Sequence, residues 1–264
     1  MNMSSDQAYS ADRTLSGVLR RRLARHVHRR EETLRLDRPI VTISFDDAPI
    51  TACTKGAELL ESAGARGTFY IAAGLNGGEG PMGTYASNQH VLDIHARGHE
   101  IACHTYSHLD CGQANEVAMD IDCERNRAAF LKMGLPAPRS FAYPYGDVSS
   151  GAKRILGNRF DSLRAIHHGI IEGGSDFNQL PSVGIEGPDG LDLASKWIRK
   201  TVQNQGWLIL YTHDIESSPS DWGCTPDVLS KTIDLALSSG CEILTTEQAV
   251  EKIVVQKIGL LKAA

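Results

Sequence analysis

From Ile40 onward, apolar residues come in short runs separated by amphipathic stretches that end at glycine or proline. IVTISF (40–45) predicts a buried strand, followed by a helix over 51–64 that stops at Gly64. GTFYIAA (67–73), EIACH (100–104), SFAYPY (140–145) and WLILYT (207–212) predict further strands, with weaker ones over 162–167, 181–185 and 242–246. Helical periodicity covers 87–97, 113–133, 191–205, 225–239 and 247–257, and a glycine-rich loop spans 74–83. Strand and helix alternate to the end of the chain, which calls for a parallel sheet with helices outside it. About seven such strands make an α/β distorted (β/α) barrel the expected fold.

The first 37 residues have a different texture. Residues 1–12 are small and polar, as in a frayed tail. From Thr14 to about Leu36, Leu15, Val18, Leu19, Leu23 and Val27 recur at three- and four-residue steps, so an extra N-terminal amphipathic helix is expected. The chain then divides into a tail and basic helix (1–37) and a main domain (38–264). The apolar stripe is expected to pack on that domain or on a sister subunit, which leaves an oligomer open. Arg20, Arg21, Arg25, Arg29 and Arg30 lie mostly off the stripe and also suit peripheral contact with an anionic membrane surface.

Composition changes this picture little. Of the 264 residues, 41% are hydrophobic and 22% charged, enough for a sizeable core. The net charge of −5 combines nine arginines in 13–38 with an acidic remainder, which points away from nucleic acid. Six cysteines without CxxC spacing read as reduced thiols of a cytoplasmic protein. The N-terminus lacks the apolar core of a secretory signal, and no run of about 18 apolar residues predicts a transmembrane helix.

The candidate chemistry sits where strands end. The first strand ends in Asp46-Asp47, the third in His104, the fourth at Tyr145-Gly146, and WLILYT in His213-Asp214. Active sites of parallel α/β barrels lie at the C-terminal ends of the strands, so one mouth receives all four. Asp46 and Asp47 alone could be loop or helix-cap residues. As adjacent carboxylates on extended backbone they point apart, so one can ligate a cation while the other handles a proton. His104 and His108, at i and i+4, can meet the same ion. His95 and His99 have equal spacing but straddle Gly98, where a helix gives way to a strand, so their rings should diverge. Two histidines and one carboxylate leave coordination open, as in catalytic zinc sites, and Zn²⁺ or another divalent transition metal would fit. His213 reads either as an acid across the mouth or as a hydrogen-bonded structural histidine.

SFDDAP, HTYSH, FAYPYG and LILYTHD, in this order, resemble the polysaccharide deacetylase family (the NodB homology domain, carbohydrate esterase family 4) over roughly residues 38–250. The resemblance implies hydrolysis of an N-acetyl group on an aminosugar of a glycan, oligosaccharide or sugar-lipid. It implies Asp46 as general base, Asp47, His104 and His108 as metal ligands, and His213 as general acid. The backbone N–H of Tyr145 would stabilise the oxyanion, Pro144 would shape the groove, and His99 would be a structural neighbour. Two features depart from the family pattern. Ala142 stands where an arginine usually orients the base, and Arg164 on the next strand is the expected substitute. The carboxylate that polarises the catalytic histidine is not recognisable, and Asp161, Asp176 and Asp214 are the candidates. Related amide hydrolases, such as an aminosugar-lipid deformylase or a cyclic-amide hydrolase, would use the same groups, and a silent binding module is the remaining alternative.

Overall fold

Ile40–Asp46 forms the central strand, β1, because its neighbours bury both of its faces. The computed structural model describes residues 14–263; the polar tail expected over 1–12 lies outside them. An N-terminal helix, α1 (Leu15–Ala24), precedes β1. After β1 come a π-helical turn (Ala52–Gly56), α2 (Ala57–Ser62), β2 (Thr68–Ile71), β3 (Glu79–Gly80), β4 (Gly83–Thr84), α3 (Asn88–Ala96), β5 (Glu100–Cys103) and α4 (Glu116–Met133). The second half runs β6 (Ser140–Ala142), α5 (Ser150–Leu156), β7 (Ser162–Arg164), β8 (Val183–Gly184), α6 (Gly190–Asn204), β9 (Trp207–Thr212), α7 (Pro226–Ser238), β10 (Glu242–Ile243) and α8 (Thr246–Ala263).

The main sheet is parallel and has the order β7-β6-β5-β2-β1-β9-β8, with β10 also on β1. It curls so far that its two ends nearly meet. Leu180, just before β8, exchanges backbone hydrogen bonds with β7: Leu180 N–H reaches Leu163 O at 2.8 Å and Ala165 N–H reaches Leu180 O at 2.9 Å. This short seam makes the fold the expected α/β distorted barrel.

Two-residue periodicity sorts the side chains. Val41, Ile43 and Phe45 of β1 join Phe69, Ile101, Leu208 and Leu210 in the core beneath helices α2, α3, α6 and α7. Each such side chain contributes about 1.5–3 kcal/mol on burial. Close packing there dictates one glycine: a Cβ on Gly56 would sit 2.9 Å from the Phe45 ring. The alternate positions Thr42, Ser44 and Asp46 are buried too, as are Thr68, Glu100, Ser140, Ser162 and Arg164, all polar. The β1–β2 and β2–β5 registers set Ser44 beside Thr68 and Thr68 beside Glu100.

Most helices follow the expected limits. Asn115 caps α4 through its side chain on Ala118 N–H, and Gly134 ends it in the left-handed region (φ 87°). The glycine-rich loop holds the small β3–β4 hairpin, and α5 is a helix the periodicity did not reveal.

The N-terminal helix differs most from expectation, ending at Ala24 rather than near Leu36. Beyond it the chain is pulled into an extended strap. Phe177 N–H donates to Arg30 O at 2.8 Å, Arg30 N–H to Asp176 Oδ1 at 2.9 Å, and the Arg30 guanidinium to the carbonyls of Gly157 and Phe160 at 3.0 Å. These tertiary bonds outweigh local helical preference. The apolar stripe is also not packed inward as expected: Val18, Leu19 and Leu23 are 36%, 68% and 50% exposed. Arg20 instead faces the domain, 3.0 Å from Asp147.

Candidate metal centre and catalytic cleft

The C-terminal ends of β1, β5, β6 and β9 deliver Asp46-Asp47, His104, Tyr145 and His213 to one mouth, as the strand-end argument required. Seven non-glycine residues have positive φ among the described residues, and five of them lie here: Asp47, Ala48, Thr105, His108 and Tyr145. Such backbone costs of order 1–3 kcal/mol per residue and persists where its surroundings enforce it. Asp122 is one enforcer. Buried on α4, it accepts Tyr106 N–H at 2.8 Å, Ser107 N–H at 2.9 Å and the Ser107 hydroxyl at 3.0 Å. The turn that presents His108 is thereby pinned.

Among the described residues, Asp47, His104 and His108 bring three ligand-type atoms within 4.8 Å of one another. Asp47 Oδ1 lies 3.7 Å from His104 Nε2 and 3.3 Å from His108 Nε2. His104 Nδ1–H donates to Ala142 O at 2.8 Å, which fixes the tautomer and turns the Nε2 lone pair toward Asp47. Burial, together with the adjacent His108, pushes His104 down to about 4, so it is a neutral imidazole at neutral pH. Asp47 Oδ1 is buried and accepts no hydrogen bond. A carboxylate oxygen facing two imidazole nitrogens without a donor suits a divalent cation. Among the described residues, His95 and His99 join no such group. His99 is structural: its Nδ1 accepts Gly67 N–H at 3.0 Å and its Nε2–H donates to Glu61 at 2.9 Å.

Asp46 points the other way. Its Oδ2 is 2.5 Å from Arg164 Nη2, and both groups are buried. Ala142 and Arg164 are register partners across the β6–β7 ladder, so a guanidinium reaches Asp46 from one strand further on. The rings of Tyr70 and Tyr211 flank that guanidinium at 4.9 and 5.0 Å. Burial opposes ionisation of Asp46, but the charges of Arg164, His104 and His213 prevail and hold its carboxyl below the usual range. Asp46 Oδ1 accepts no hydrogen bond and remains as the carboxylate's second edge.

His213 Nδ1–H is shared between Trp222 O at 3.0 Å and Glu186 Oε1 at 3.2 Å, which leaves Nε2 as the other ring nitrogen. Burial disfavours its charged form, yet the bond to Glu186 and the charges of Asp46 and Asp47 raise it to about 9. Glu186, just beyond β8, therefore takes the polarising position. None of the three expected aspartates does. Asp161 pairs with Arg139 at 2.7 Å and Asp176 with Lys153 at 2.5 Å. Asp214 supports the site indirectly: it accepts Ser220 N–H at 2.8 Å and the Ser220 hydroxyl at 2.5 Å, bracing the loop that carries Trp222. Glu186 had no sequence signal beyond following a short strand. Pro144 opens the 3₁₀ turn in which Tyr145 takes φ 58°, and the Tyr145 ring meets His108 edge-on at 4.4 Å.

Comparison with known proteins is consistent with this geometry. Residues 34–158 match the polysaccharide deacetylase family. A chitin deacetylase of a Pestalotiopsis species is 27% identical over 115 residues, which is 44% of this chain and 37% of that protein, so the chain aligns with well under two thirds of this relative's length. The Xyl-CE4 domain of a multidomain xylanase from the hindgut metagenome of Trinervitermes trinervoides superposes with a TM-score of 0.59 at 17% identity, covering 82% of this chain and 91% of that one. The chitin deacetylase of Colletotrichum lindemuthianum gives 0.56 at 18%, covering 82% and 90%. At these identities the structural likeness speaks to the fold. Arg164, Glu186 and His213 lie beyond the family-matched segment.

Proposed function

We propose that this chain, whose residues 34–158 match the polysaccharide deacetylase family, is a metal-dependent hydrolase that removes the N-acetyl group from an aminosugar in a glycan, oligosaccharide or sugar-lipid. The observation that carries this reading is the division of labour in Asp46-Asp47. Asp47 faces two imidazoles, while Asp46 is held on one edge by Arg164 with the other edge open.

In this reading Asp47, His104 and His108 hold Zn²⁺ or a similar divalent ion, which when bound polarises the amide carbonyl and acidifies water. Asp46 Oδ1 takes the proton from the attacking water. The Tyr145 backbone N–H faces the developing oxyanion. His213 starts protonated, and its Nε2–H goes to the departing amine, leaving acetate and a free amino group. Glu186 and Trp222 O hold its Nδ1–H throughout.

The test is a panel of N-acetyl and N-formyl aminosugars and N-acetylated oligosaccharides, scored for released acid. Acetate release that is lost in Asp46→Asn supports the reading. Formate alone would favour a deformylase, and no release from any member by the metal-loaded protein would sink it.

A further inference from the structure

The outward side of α1 is neither a packed helix face nor an ordinary charged surface. The helix is held from its other side. Arg20 pairs with Asp147 at 3.0 Å, Ala24 is buried in the core that includes Ala152 and Leu156 of α5, and Lys153 Nζ donates to the Ala24 carbonyl at 2.6 Å. Leu19 lies three and four residues before Arg22 and Leu23, and these lie four and three before His26, so all four share the solvent side, with Val18 and Arg25 alongside. Val18, Leu19 and Leu23 are 36%, 68% and 50% exposed. Arg22 and Arg25 are exposed, and among the described residues no carboxylate pairs with either. The helix itself contains no acidic residue.

The helix lies next to the cleft through its anchored side. Asp147, its anchor, is two residues beyond Tyr145. Tyr145 and Ile166 are each 40% exposed, and the backbone of Gly146 packs on the Ile166 side chain.

We propose that this face of α1 docks on an anionic lipid bilayer, with the mouth of the cleft beside it. The chemistry selects that occupant. Leucine and valine beside unpaired arginines match an acyl–headgroup boundary carrying negative charge. A nucleic acid would meet the arginines but gain nothing from Leu19 and Leu23. A second copy related by a two-fold axis would bring Arg22 and Arg25 against their equivalents, like charge on like. No helix among the described residues is long and apolar enough to cross a membrane, so the contact is peripheral. A patch this small binds weakly, reversibly and with strong salt dependence.

The experiment is co-sedimentation of the full chain with vesicles of phosphatidylcholine, with and without phosphatidylglycerol, at low and high salt. The wild-type protein should pellet with the anionic vesicles, at low salt only. At roughly one tenfold step for each one or two arginines removed from a charged surface, Arg22→Glu/Arg25→Glu should weaken binding roughly tenfold or more. Leu19→Glu/Leu23→Glu should do the same, and both variants should keep wild-type helical content and turnover of a soluble substrate. Equal binding to neutral vesicles, wild-type binding by either variant, or a dimer in sedimentation velocity that Leu19→Glu/Leu23→Glu dissolves would each overturn the proposal. Vesicle binding is read without catalysis, so its failure and that of the deacetylase reading remain separate.

Discussion

Arg164 governs the chemistry available to Asp46. Its guanidinium occupies one carboxylate edge and keeps the group ionised inside the barrel, which in the proposed reaction leaves a single edge for the attacking water. Arg164→Ala is expected to retain bound metal while turnover falls roughly 10²-fold, the low end for losing a positioned general base; metal analysis alongside rate measurement checks this. Placing an arginine at 142 in that variant should recover part of the rate, because 142 and 164 are register partners. Glu186 has a different signature. In the proposed reaction His213 must be protonated to act as acid, so activity should fall as pH rises through its value of about 9. Glu186→Gln removes a negative charge that favours the imidazolium, and the alkaline limb of the pH–rate profile should move to lower pH with the acid limb unchanged. The ligand trio makes a third demand. A chelator should abolish activity, added Zn²⁺ should restore it, and Asp47→Asn should bind the metal at least 10-fold more weakly, the range seen when groups around a metal site are lost. That Asp46, Asp47, His104 and His213 would gather at one mouth was legible because each follows an apolar strand, and His108 because it stands four residues after His104. Glu186 and Asp122 were not, since what defines them is a partner 27 and about 15 residues away in the chain.

At the level of elements, the strands and most helices were readable from periodicity, while α1 ends earlier than the pattern predicts and its stripe does not pack on the domain. The apolar stripe was real, but the pattern cannot say which side of a helix finds a partner. Here a buried ion pair decided it. Lys153 and Asp176 lie 2.5 Å apart, both buried, with Lys153 also bonded to the Ala24 carbonyl at the end of α1. Asp176 further accepts the backbone N–H of Arg30 and Asn178, so one carboxylate fastens the helix end, the strap and the segment before β8. Lys153→Met would strand that charge in the interior. Removing one partner of a buried pair costs about 3–5 kcal/mol, which lowers the midpoint by roughly 10 °C in a chain of this size. Calorimetry of the variant checks it. Removal of the strap through residue 36 should lower the midpoint by less, since it takes away the Ala24 carbonyl and the Arg30 N–H but leaves the Lys153–Asp176 pair intact.

For the whole molecule, the barrel's polar interior was not legible. IVTISF reads as a buried strand, but the run does not tell which face is polar: Thr42 and Ser44, with Asp46 just beyond, line the inner side. A barrel lined this way gains less from burial on its inner side than on its helix-covered side, where Ile43, Phe45 and Leu210 sit. The seam at Leu180 has a consequence for how the protein fails. It joins β7, which carries Arg164, to the segment entering β8, six residues before Glu186, and it is shorter and less regular than the six-pair β1–β9 ladder. Local openings begin where backbone bonds are fewest. Parting the seam would draw the guanidinium from Asp46 and the glutamate from His213 together, while the helix-covered core stayed intact. Catalysis should therefore give way before the fold does. In a urea titration the activity midpoint should precede the far-UV circular dichroism midpoint, and the amides of Ala165 and Leu180 should exchange with deuterium ahead of those in β1. The barrel would then lose its acid and its base at the same break.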